Sequence, residues 1–170
     1  EHTSRGLGDV YKRQHQFFAN RGYAVMQVNF RGSTGYGRKH FKAGNKEWGR
    51  NMQNDVTDAV NWAIDQGIAD KDRVCIYGAS YGGYAVMAGI TFTPDMYKCA
   101  VNYVGVTDLE LLWETMPPQW EIFEEQQKVD IGDPEKDKEL LKARSPLNFV
   151  DRIKTPLYIV HGVRDWSCLL

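Results

Sequence analysis

Residues 74–84 read Val-Cys-Ile-Tyr-Gly-Ala-Ser-Tyr-Gly-Gly-Tyr. An apolar run leads into Gly78-x-Ser80-x-Gly82, and a helical pattern follows. A chain that passes from strand to helix this quickly must reverse sharply, which predicts a strained Ser80 standing above the sheet edge. Side chains at 78 and 82 are expected to collide with the turn, which accounts for glycine at both. The turn holds a hydroxyl at a helix N-terminus, where backbone N–H groups can receive an oxyanion. The spacing alone is a weak signal, and the strand before it and the helix after it are what make it specific.

Outward from this turn, apolar segments alternate with helical ones. Ala24–Phe30 reads as a buried parallel strand, preceded by a helix end at Gln16–Asn20 and a stop at Arg21-Gly22. The glycine-rich, basic stretch Arg31–Gly49 reads as loop. Asn51 is placed to cap a helix whose Met52, Val56, Ala59, Val60, Ala63 and Ile64 share one face, with Gly67 as its stop. Further strands are predicted at 73–77, 99–104 and 156–160, with helices over 81–90 and from Asp133-Pro134 to Ala143. The order implies right-handed βαβ units, hence an α/β fold with a mainly parallel sheet and flanking helices.

Composition excludes several classes. A length of 170 residues fits one domain, and 42% hydrophobic residues suffice for a core. A net charge of −1 gives no footing for nucleic acid or an anionic membrane, and no apolar run is long enough to span a bilayer. Three unevenly spaced cysteines suggest no disulfide framework. Cys75 and Cys99 read as core thiols and Cys168 as a surface cysteine, and with no apolar leader visible the cytoplasm is the favoured compartment. The four histidines show no metal-ligand spacing, and no cofactor is implied.

Parallel sheets bind ligands beyond the carboxyl ends of their strands. The loop after Phe30, Ser80 and the stretch His161–Asp165 all fall there. A serine followed much later by an aspartate, with histidine last, is the chain order of α/β-hydrolase triads.

On these residues the sequence resembles the catalytic domain of the prolyl oligopeptidase family of serine peptidases, of the acylaminoacyl-peptidase and dipeptidyl-peptidase types. The matching stretches are Asn20-Arg21-Gly22-Tyr23-Ala24-Val25, Asn29-Phe30-Arg31-Gly32-Ser33-Thr34-Gly35-Tyr36-Gly37, Gly78-Ala79-Ser80-Tyr81-Gly82-Gly83-Tyr84, Arg144-Ser145-Pro146 and His161-Gly162-x-x-Asp165. The resemblance implies a partial α/β-hydrolase fold over 16–165. It makes Ser80 the nucleophile, Asp165 the triad acid and the Tyr81 backbone N–H an oxyanion donor. Tyr81, Tyr84, Val106, Leu109 and Leu112 become candidates for the pocket that takes the residue before the scissile bond. It also implies a peptide substrate and an N-terminal propeller domain of the same polypeptide. Three family features have no counterpart here: the triad histidine expected after Asp165, the His-Gly-Gly-Pro segment expected before residue 16, and the propeller. Residues 1–15 and 166–170 are expected to lie outside the family's pattern as non-native ends, similar to translated adapter read-through.

Competing readings attach to several residues. His161 precedes the acid and reads as a turn-shaping residue; His15 and His40 read as surface histidines. Gly32-x-x-Gly35-x-Gly37 has the wrong order for a phosphate loop, so it reads as a structural loop whose Arg31 is free for neighbouring carbonyls or a substrate carboxylate. Val106, Leu109, Leu112 and Met116 have helical spacing and could simply be core. Trp113, Pro117, Pro118 and Trp120 suggest a rigid aromatic patch. The expected activity is cleavage of short peptides through an acyl-enzyme on Ser80, absent from the chain as written because the histidine is missing. A carboxylesterase or acyl hydrolase on the same fold, or a catalytically dead binding module, are the alternatives.

Overall fold

Three short parallel strands carry the fold in the computed structural model, which describes residues 14–162. They are β1 (Cys75–Ala79), β2 (Cys99–Tyr103) and β3 (Leu157–Val160), in the spatial order β1-β2-β3. Cys75 faces Cys99 in one register, and Ala100 faces Leu157 in the other. All three carboxyl ends therefore lie on one edge of the sheet.

A helical turn over 14–19 (α1) is followed by α2 (Arg38–Lys42) and α3 (Asn51–Asp65). Helix α4 (Tyr81–Phe92) connects β1 to β2. The long crossover to β3 holds α5 (Leu109–Glu114), α6 (Glu124–Asp130) and α7 (Lys138–Arg144), with 3-10 turns at Pro118–Phe123 and Pro146–Arg152.

Helix α4 organises the core because it is apolar on every side. Gly83 through Thr91 is buried without interruption. A helix with no polar face has to be covered all round. One side packs with Val106, Leu109, Leu112, Ile131 and Leu141; the other meets Val60 of α3, Tyr97 and Ala100. Full burial of side chains such as Val86 and Ile90 contributes about 1.5–3 kcal/mol each.

The structure departs from the sequence reading at several elements. Residues 24–30 form no strand, and Val25 and Met26 are 40% and 44% exposed. A strand needs a neighbour to bond, and among the described residues β1 pairs with β2 alone; apolar patterning cannot supply the partner. Helix α3 is capped by the Glu47 carboxylate, which accepts from the Asn51 N–H at 3.0 Å, whereas Asn51 itself is the first helical residue. Asp133 caps a turn by accepting from the N–H groups of Glu135 and Lys136, and the helix begins later, at Lys138.

Cys75 and Cys99 are bonded to each other, not free core thiols, with Cα atoms 4.7 Å apart. Parallel register brings the two side by side on the same face of the sheet, a proximity that their separation of 24 residues does not announce. Such bridges persist in oxidising compartments. Closing a loop of this size limits the unfolded chain, and removal of the bridge by Cys75→Ser with Cys99→Ser should cost about 3 kcal/mol. Urea unfolding of the parent in reductant should then coincide with that of the double variant.

Candidate active site

Ser80 stands between β1 and α4 with φ 55° and ψ −121°. A non-glycine residue at that φ is sterically costly, and here it is held from both sides. Its N–H donates to the Tyr103 carbonyl at 3.1 Å, and its carbonyl accepts the Tyr84 N–H at 3.1 Å. The hydroxyl takes no part in capping α4, and the residue is exposed. Tyr81 is the first helical residue, so its N–H has no acceptor within the helix.

The two glycines of the turn have different reasons. A Cβ on Gly78 would overlap the backbone of Gly82. A Cβ on Gly82 would meet nothing within 4 Å, contrary to the expectation that both positions are sterically blocked. The turn is tight because strand and helix backbones touch at Gly78.

Beside Ser80 opens a cavity of about 410 Å³. Tyr81, Val106 and Leu112 line it. Tyr84 and Leu109 do not. Tyr84 is fully buried and donates its hydroxyl to the Arg144 carbonyl at 2.9 Å, while Leu109 packs in the core. Sequence reasoning missed Phe41, Trp48, Met52 and Ile131, which complete the apolar walls, and Asn45, Gln127 and Asp130, which add polar groups. Two aromatics inside a segment otherwise rich in glycine and lysine, Phe41 and Trp48, were the available signal. Trp120 reaches the cavity, whereas Trp113 packs against the core, so the aromatic patch expected around them is divided. Burial raises the phenol pKa of both Tyr81 and Tyr84, keeping them neutral.

The segment after Phe30 is anchored by one ion pair. Arg31 holds Asp55 of α3 through two guanidinium bonds of 2.8 and 2.7 Å, and its own N–H donates to the same carboxylate at 2.9 Å. The guanidinium is thus committed to Asp55 and not free for a substrate carboxylate. His40 is half-buried, with Nε2 3.0 Å from the Phe30 carbonyl, and is not the solvated surface histidine expected. These contacts, with Gly32 packed on Gly44, bring Phe41 and Trp48 to the cavity.

His161 follows β3, and β2 lies between it and the strand that carries Ser80. The His161 Nδ1 is buried without a hydrogen-bond partner among the described residues. Asp165 lies outside the described residues, as do both chain ends and Cys168.

A parallel sheet that offers a strained serine between strand and helix at its carboxyl edge is the architecture of the α/β-hydrolases. Within that class the chain belongs to the prolyl oligopeptidase family, whose model matches residues 10–170. It is 50% identical over 157 residues to dipeptidyl aminopeptidase BIII of Pseudoxanthomonas mexicana, covering 91% of this chain and 23% of that protein. It is 44% identical over 153 residues to dipeptidyl peptidase family member 6 of Caenorhabditis elegans, covering 88% and 20%. Among solved structures, a puromycin-hydrolyzing peptidase of Mycobacterium tuberculosis superimposes with a TM-score of 0.82 at 34% identity, over 89% of this chain and 23% of that one. The chain therefore spans about a fifth to a quarter of the length of these relatives.

The Arg31 guanidinium bonds hold the Asp55 carboxyl below its ordinary pKa. Asp55→Asn should destabilise the fold by about 2 kcal/mol. The pair's contribution is complete above the unfolded carboxyl pKa of about 3.9. It shrinks as pH falls below that value and is gone once pH passes the lowered folded pKa. Thermal melts of parent and variant should therefore begin to approach one another as pH falls below about 4 and coincide only below the lowered folded pKa.

Proposed function

We propose that Ser80 is the nucleophile of a serine peptidase that cleaves short peptides. The observation that carries this reading is the positive φ of Ser80 at the mouth of an aromatic-walled cavity. The Ser80 hydroxyl attacks the scissile carbonyl and passes its proton to a histidine that follows Asp165 in the complete peptidase, with Asp165 orienting the ring. The tetrahedral oxyanion takes a hydrogen bond from the Tyr81 N–H. The leaving amine departs with the proton, and water then releases the acyl group from Ser80.

The cavity accepts the side chain before the scissile bond. Its apolar walls, Phe41, Trp48, Val106 and Leu112, favour a large hydrophobic or aromatic residue there. The two relatives named for dipeptidyl activity support release of dipeptides from the N-terminus. A propeller domain of the same polypeptide would restrict access to short substrates. No histidine of the described residues stands as a base for Ser80, so the 170-residue chain alone should be inactive.

A fluorophosphonate should label the complete peptidase on Ser80. Ser80→Ala should abolish labelling and lower kcat on aminoacyl amides by at least about 10⁴-fold. Ser80-dependent turnover of short-chain esters with none of amides would replace the peptidase reading with an acyl hydrolase. Ser80-dependent turnover by the 170-residue chain at the rate of the complete enzyme would overturn the placement of the base beyond Asp165.

A further inference from the structure

Asn102 is a polar side chain with no exposed surface, in a strand position that an apolar residue of the same size could fill. It lies on β2 directly opposite Gly78, the glycine that lets β1 approach α4. Its Oδ1 accepts the Gly105 N–H at 2.9 Å, while its Nδ2 has no partner among the described residues. A buried amide with an unpartnered donor is costly. What the amide supplies, and leucine would not, is the acceptor for Gly105.

That bond closes a turn of unusual conformation. Val104, between the two residues, has φ 45°, a region that β-branched residues avoid. The turn presses Gly105 against the first turn of α4. A Cβ on Gly105 would overlap Gly83 and the Asn102 amide, and a Cβ on Gly83 would overlap Gly105 and the same amide. Gly83 is two residues from Tyr81. Next to Asn102, the Tyr103 carbonyl accepts the Ser80 N–H.

We propose that Asn102 is a positioning residue for the oxyanion side of the site. By closing the Val104 turn on Gly105, it sets where Gly83 and the first turn of α4 sit, and so where the Tyr81 N–H points. This rests on the reading of Ser80 as nucleophile. It assigns to Asn102 an effect on the transition state more than on substrate binding. The oxyanion forms only during reaction, whereas the substrate side chain is held by several cavity walls.

The test uses the complete peptidase, with kcat expressed per site titrated by fluorophosphonate so that unfolded protein does not count. Asn102→Leu keeps the volume and removes the acceptor; Asn102→Asp keeps an acceptor in the same place. The expected result is a kcat at least about tenfold lower in Asn102→Leu with KM within about threefold, and substantial recovery of kcat in Asn102→Asp. Unchanged kcat per titrated site in Asn102→Leu would overturn the proposal, even with a lowered melting temperature. Equal loss in both variants would overturn it too. Should Asn102→Leu not fold, hydrogen exchange of the parent decides: slow exchange at the Gly105 amide is expected, and exchange at the rate of an open loop would overturn the latch. Ser80→Ala separates the two readings. Activity that survives it removes the nucleophile assignment itself, whereas activity that depends on Ser80 but not on Asn102 removes only the positioning role.

Discussion

The contact between Gly78 and the backbone of Gly82 is the constraint from which the rest of the site follows. Because strand and helix meet there without an intervening side chain, α4 starts immediately above the sheet edge. Ser80 is left at the corner in a conformation that the flanking hydrogen bonds to Tyr103 and Tyr84 maintain. The same closeness forces α4 into the middle of the molecule. Its uninterrupted burial is the consequence, and two hydrophobic clusters have to form around it, one between α4 and the sheet and the other beneath the cavity. The geometry at Ser80 and the main source of hydrophobic stabilisation are therefore coupled through one helix.

What was legible in the sequence was what is encoded locally. The run from Val74 to Tyr84 carries its strand, its turn and its helix in adjacent residues, and the elbow stands where it was predicted. The α3 face of Met52, Val60 and Ala63 was readable for the same reason. What failed depends on partners distant in sequence. Residues 24–30 have the apolar pattern of a strand, but a ladder depends on a neighbour. Cys75 and Cys99 become adjacent only through register. Within the cavity, Tyr81 and Tyr84 have the same residue type three positions apart, yet only the first reaches the space, because the second turns toward the Arg144 carbonyl.

Besides Ser80 and Tyr81, the cavity is walled by two segments that the sheet does not contain. They are the stretch after Phe30, with Met52 of α3, and the crossover between β2 and β3. Each is fixed by polar contacts, not by a strand ladder. Arg31 holds Asp55, and Lys46 reaches across to Asp137 at 2.6 Å, tying the first segment to the second. The Lys46 N–H also donates to the Asp130 carbonyl at 2.8 Å, at the end of α6. The two parallel guanidinium–carboxylate bonds of the Arg31–Asp55 pair fix its geometry. Apolar walls alone could slide past one another.

The sheet's register has a consequence for the order of assembly on the ribosome. Ala100 and Leu157 pair, yet 57 residues separate them. At about 5–20 residues per second, β2 emerges several seconds before its second neighbour exists. During that interval the β2 edge offers unpaired backbone groups beside apolar side chains, the condition that invites pairing with another nascent chain. The β1–β2 pair, whose partners are only 24 residues apart at Cys75 and Cys99, can form early on its other side. Synthesis therefore builds the β1–β2 pair that carries Ser80 first and adds β3 only after the whole crossover has been made.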